Sequence, residues 1–96
     1  MRHARPDYQG RIVDLQHRIP DGEPVFLLRS TDEFAPELVI LWAERLVARG
    51  GDPRMARMAF DHANAMRAWQ RAHGAKVPDL PHGIIETKDG GEVDEQ

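Results

Sequence analysis

The four residues Gly50-Gly51-Asp52-Pro53 constrain the fold of this chain more than any other stretch. Adjacent glycines end a helix, because one of them can take the left-handed conformation that closes a helix C-terminus. Asp52 can then cap a second helix, and Pro53 suits its first position, where a backbone N–H would have no partner within the helix. A connection this short between two amphipathic helices predicts an antiparallel αα-hairpin and therefore a mainly α fold.

The two predicted helices run from about Pro36 to Arg49 and from Pro53 to about His73. Apolar residues recur in both at the helical period, which predicts the faces through which the helices pack. The predicted packing residues are Leu38, Leu41, Trp42 and Leu46 in the first helix and Met55, Ala59, His62, Met66 and Trp69 in the second.

The flanking sequence predicts three regions: a flexible arm over residues 1–10, one small domain over 11–74 and a Pro- and Gly-containing acidic tail over 75–96. Residues 11–19 are predicted as an extended segment packed on the helices. The alternative is a β-hairpin between residues 11–15 and 25–29, since the intervening Pro and Asp-Gly residues favour a turn. In the tail, residues 84–96 are predicted to be disordered, with a small hairpin over 84–93 as the alternative.

Charge and residue usage exclude several classes of protein. The net charge of -3 gives no overall basic signal for nucleic acid, and the absence of cysteine excludes disulfides and thiolate metal sites. No apolar run approaches the roughly 20 residues that a membrane-spanning helix requires. The chain start also lacks the apolar stretch of a signal peptide. We therefore expect a soluble protein.

Residues suited to catalysis or metal binding are sparse. The only serine, Ser30, lies beside a predicted helix start, where a capping role is expected. His62 and His73 lie three helical turns apart, roughly 16 Å, which is too far to share one metal ion. The sequence predicts no catalytic residue, no metal site, no cofactor and no enzymatic activity.

The first helix carries more apolar residues than an alanine-rich partner helix can cover. Either residues 25–28 cover the surplus within the chain, or the surplus forms an interface with a protein partner or a second copy. Arginines on the second helix, which has a net charge of +3, form either a solvated face or a polar rim that could meet phosphate or an acidic surface. The predicted partner-binding residues are Leu38, Ile40, Leu41, Trp42, Arg54, Arg57 and Arg71.

Several short motifs between about Ile19 and Gln70 carry a resemblance to a known group of proteins. They are Glu23-Pro24-Val25-Phe26-Leu27-Leu28-Arg29, Asp32, Ala35-Pro36, Trp42-Ala43, Gly51-Asp52-Pro53, His62-Ala63, Met66 and Trp69-Gln70. In these motifs the chain resembles small uncharacterised proteins encoded in phage and prophage genomes. The resemblance implies a bacterial cytosol under phage influence, or a virion, and transfers no catalytic residues.

The sequence and the resemblance together predict a non-enzymatic interaction module that acts through the apolar surface of the first helix, by self-association or by docking on another protein. Three alternatives stay open. The first is an inhibitor of a host defence nuclease that mimics nucleic-acid charge through residues 86–95. The second is a small DNA-binding regulator, although nucleic acid is not the expected partner of an acidic chain. The third is a structural component of the virion.

Overall fold

Two helices dominate the chain in a computed structural model, which describes residues 1–81. The predicted mainly helical class is confirmed, and the helices are accompanied by a short parallel two-stranded sheet. The elements in chain order are β1 (Arg2–His3), a 3-10 helix (Pro6–Tyr8), β2 (Pro24–Val25), α1 (Ala35–Ala48) and α2 (Pro53–His73). Neither helix in this part of the chain is long and apolar enough to cross a membrane.

Contacts divide the described chain into two units, while the single domain predicted over residues 11–74 stays a prediction. The first unit comprises Met1–Leu27 with residues 79–81, and the second comprises Leu28–Pro78. The predictions of a disordered tail or a small hairpin over residues 84–96 concern positions outside the described residues.

The connection between α1 and α2 contains the left-handed glycine and the Asp52 cap that the sequence predicts. Gly50 adopts a φ of 75°, the left-handed conformation that glycine takes without steric cost. Its N–H donates to the carbonyl of Val47, and the N–H of Gly51 donates to that of Leu46. The Asp52 carboxylate accepts a hydrogen bond from the backbone N–H of Arg54 at 2.9 Å, as an N-cap should. These groups supply hydrogen bonds at both helix ends, so α1 ends and α2 begins within a connection of four residues, 49–52.

The start of α1 is held by residues from both ends of the second unit. Asp32 Oδ1 accepts from the N–H of Phe34 at 2.8 Å, which places Pro36 in the first helical turn. Near the end of α2, Gln70 Nε2 donates to the carbonyls of Ser30 at 2.8 Å and Asp32 at 3.1 Å. The segment after α2 joins the same turn, because the N–H of Glu33 donates to the Lys76 carbonyl at 3.0 Å.

The helices pack mostly through small side chains, which corrects the predicted packing faces except at Met66, a predicted packing residue that is buried. The buried positions are Ala35, Pro36 and Ala43 in α1 and Ala56, Ala63 and Met66 in α2. Leu38, Leu41 and Trp42, which the sequence placed in the contact, are 43%, 44% and 49% exposed. Alanine permits a close approach of two helix backbones, and that approach leaves little room for larger side chains between them. No large side chain in residues 1–81 is fully buried.

The first ten residues form structure where the sequence predicted a flexible arm. β1 pairs with β2 in parallel, with Arg2 opposite Pro24 and His3 opposite Val25. Tyr8 is buried, and the guanidinium groups of Arg5 and Arg11 lie 4.9 Å and 5.5 Å from its ring centroid. Contacts between cations and an aromatic ring stabilise such an arrangement, which no local pattern in residues 1–10 reveals.

Residues 11–19 form turns, so neither the extended segment nor the hairpin with residues 25–29 is present. The Asp14 carboxylate organises these turns by accepting hydrogen bonds from the backbone N–H groups of Gln16, Arg18 and Ile19. These donors favour the ionised form and lower the pKa of Asp14, with the bond from Ile19 contributing most.

We expect Ala63→Leu to destabilise the protein by about 1–3 kcal/mol, because the added atoms must separate two helices already in close contact. The matched control is Ala65→Leu, which makes the same change two residues away at an exposed position of α2. The free energy of unfolding in urea provides the measurement. Equal effects at the two positions would contradict the observed packing face.

We expect acid to destabilise the wild-type protein more than Asp14→Asn. A depressed folded-state pKa means that ionised Asp14 stabilises the fold above its unfolded-state pKa of about 4. That contribution is lost as the pH falls through the lower folded-state value. Unfolding free energies at neutral and acidic pH measure the difference, with Asp61→Asn as a control. An unchanged pH dependence in Asp14→Asn would count against the role of this carboxylate.

Candidate docking groove

An apolar groove of about 510 Å³ lies along one side of the contact between α1 and α2. Seven of its eight lining residues are apolar, and the eighth is a histidine. They are Leu28, Leu38, Val39, Trp42, Met55, Met58, Ala59 and His62. A concave apolar surface with one polar group suits an apolar ligand or side chain better than a charged one.

Helical geometry explains why these residues share the groove. Leu38 and Trp42 are four residues apart in α1, while Met55, Met58 and His62 follow at spacings of three and four in α2. Each set therefore forms one stripe on its helix. Each stripe lies beside the buried alanines, so the large side chains form the groove walls while the alanines bring the helices together.

The groove walls are accessible to solvent. Met58 is 69% exposed, and both Trp42 and Met55 are about half exposed. Trp69 follows His62 by seven residues on the same stripe and is also exposed, with its ring stacked on that of His73 at 4.3 Å. Methionine side chains are flexible and adapt to differently shaped apolar partners. The apolar surface therefore continues from the groove along α2.

The groove contains two of the four apolar residues that the sequence selected for partner binding. Leu38 and Trp42 line it. Leu41 is exposed on the next turn of α1 but does not line the groove, and Ile40 is half-buried outside it. The structure therefore brings together Leu38 and Trp42 and separates them from Ile40.

None of the three selected arginines lines the groove. Arg54 forms an ion pair with the Asp52 carboxylate at 2.8 Å, and this side-chain contact is the largest factor that lowers the pKa of Asp52. Arg57 and Arg71 are exposed elsewhere on α2. The positive charge of α2 therefore lies on exposed surface outside the groove.

Sequence reasoning did not assign Leu28, Met55, Met58 and His62 to a binding surface. The sequence pattern placed Met55 and His62 in the contact between the helices. The residues buried there are their neighbours Ala56 and Ala63. These two alanines lie seven residues apart in α2, but the exposed Ala65 and Ala72 have the same spacing, so alanine spacing alone does not identify the packing face. Because small residues occupy the contact between the helices, the neighbouring large residues lie beside that contact.

The first unit has a second, more polar cavity of about 230 Å³, and several of its lining groups form hydrogen bonds within the chain. The lining of this cavity includes Asp14, which forms the turns described above, and Met1. The Met1 ammonium group donates a hydrogen bond to the Pro20 carbonyl at 2.9 Å. His3 Nε2 lies 2.7 Å from the Ile12 carbonyl and therefore donates to it, while its buried Nδ1 has no hydrogen-bond partner in the described chain. Within residues 1–81, no three histidine or carboxylate side chains cluster as metal ligands would.

Comparison with known proteins adds no relative. No family model matches the chain, and no curated protein or solved structure matches it significantly. The groove must therefore be interpreted from its own geometry.

We expect the groove to bind a small apolar fluorescent dye, with an increase in dye emission. Met58→Asp should weaken that binding at least about tenfold, because a carboxylate is costly to bring into an apolar contact. Ala68→Asp introduces the same charge at an exposed position of α2 outside the groove and should leave dye binding unchanged. Dye titration measures both variants, and equal losses would contradict the assignment.

Proposed function

We propose that this chain is a non-enzymatic protein-interaction module and that the groove is its docking surface. One observation carries the proposal: most of the large side chains that line the groove are exposed, while the buried contact consists mostly of alanine. Exposed apolar surfaces of several hundred Å² usually mark interaction sites. Tryptophan is also among the residues that contribute most binding energy at such sites, which suits Trp42 as the central anchor.

We infer that α1 and α2 run antiparallel, as a hairpin. Two features of the described residues support this arrangement. The connection over 49–52 joins the end of α1 to the start of α2, while Gln70 near the end of α2 bonds to Ser30 and Asp32 just before α1. Contacts at both ends would hold the groove walls at a fixed separation, which favours binding because little ordering is required.

The arginines are proposed as a polar surround to this docking surface. Arg57 and Arg71 are solvent-exposed on α2, whose described residues sum to a charge of +3 within an acidic chain. Exposed charges of this kind accelerate association and select partners more than they add affinity. A partner with acidic residues beside an apolar anchor would match this pattern.

The phage or prophage context, with a bacterial cytoplasmic or virion location, rests on the resemblance alone and remains a prediction. An inhibitor of a defence nuclease or a virion component could use the same groove. Charge mimicry by residues 86–95 concerns positions outside the described chain. The DNA-binding alternative requires affinity that falls steeply with salt and depends on Arg54 and Arg57, and the ion pair of Arg54 with Asp52 does not favour it.

A photo-reactive benzophenone residue placed at position 58 tests the docking role. We expect cross-linked adducts when bacterial cells expressing this variant are irradiated, because Met58 is exposed at the groove wall. The same residue at position 68 is the control. Adducts from position 58 alone, with either a second copy or another protein, support the proposal. Absence of adducts, or equal yields from the two positions, would overturn it.

A further inference from the structure

We propose that the occupant of the groove is a second copy of this chain, bound face to face across a two-fold axis so that four helices enclose one apolar core. This inference rests on the proposed docking role and specifies the partner. Three features of the described residues support it: the shape of the face, its area and the distribution of charge between the helices.

The apolar surface on and beside the groove has both a recess and a protrusion, as a self-complementary interface requires. In addition to the groove, α1 exposes Leu38, Leu41 and Trp42, which follow the i, i+3, i+4 spacing of helices that bind in apolar grooves. A two-fold interface requires that one patch supply both the protrusion and the recess. In such a pair, α1 of each copy would lie against the methionines of the other.

The exposed area suits a homodimer. The large apolar residues on and beside the groove are Leu38, Leu41, Trp42, Met55, Met58 and Trp69. Their exposed portions amount to on the order of 600 Å², against roughly 800 Å² per partner in a stable interface, to which surrounding residues also contribute. Interfaces between identical subunits are also the most apolar class. The single polar lining residue, His62, is compatible with that composition.

Charge distribution also favours pairing between copies. The residues of α1 sum to a charge of -1, from Glu37, Glu44 and Arg45, while those of α2 sum to +3. A face-to-face pair brings α1 of one copy beside α2 of the other, so helices of opposite net charge become neighbours. Opposite charge around an apolar centre steers the two surfaces together and disfavours the alternative pairing of α2 with α2.

Sedimentation velocity over a wide concentration range tests the assembly state. We expect a reversible dimer at twice the 10.9 kDa monomer mass. Met58→Asp should raise the dissociation constant at least about tenfold. Ala68→Asp, which places the same charge on α2 away from the groove, should dimerise as the wild type does. In a Trp69→Phe background, the emission of Trp42 should shift to shorter wavelength as the dimer forms.

Single-cysteine variants test the geometry, since the chain has no cysteine of its own. Because α1 of one copy lies against the methionines of the other, a mixture of Leu38→Cys and Met58→Cys should form a mixed disulfide-linked dimer under mild oxidation, and a mixture of Leu38→Cys and Ala68→Cys should not. A monomer at all concentrations, or a dimer that tolerates Met58→Asp, would overturn the inference. If the protein is monomeric while position 58 cross-links another protein in cells, only the identity of the occupant is wrong. If position 58 yields no adduct at all, the docking role fails as well.

Discussion

The contact between small side chains of α1 and α2 determines the rest of the second unit. Ala43 and Ala63 are completely buried, so the helix backbones approach closely at these positions. An alanine removes little apolar surface from water compared with leucine or tryptophan, and this contact alone provides limited hydrophobic stabilisation. Apart from Met66, which is buried, most of the larger residues lie outside it. They line its flank, and the groove is the direct result.

Polar contacts fix the ends of the helices where apolar burial does not. Asp52 and Gly50 complete the hydrogen bonds at the connection, and Gln70 bonds to two carbonyls in front of α1. Each such bond contributes roughly 0.5–1.5 kcal/mol, but each also restricts how the helices can slide or rotate. A surface held in this way needs little rearrangement to bind.

The sequence predicts those features that depend on local backbone chemistry. Gly50, Asp52 and Pro53 allow few conformations, so the helix ends were located within one residue. The packing face could not be obtained in the same way, because Val39 to Trp42 are apolar around the whole helix and leave its rotation undetermined. Burial of Tyr8 could not be predicted either, since it depends on contacts with two arginines and on a strand pair that joins distant residues.

The orientation of each helix about its own axis links stability to binding, because it determines which side chains are buried and which are exposed. Trp42 and Met58 were available to fill a larger core, yet both are exposed while the contact is built from alanine. A ligand that covers these side chains would bind only the folded chain and would stabilise it by mass action. Burying the exposed half of a tryptophan and most of a methionine adds roughly 2–4 kcal/mol on the usual scale for whole apolar side chains. For a chain of this size, where folding alone buries a modest fraction of its surface, that gain is comparable to a large part of the total stability. Occupancy of the groove therefore completes the apolar core that the helix contact leaves open.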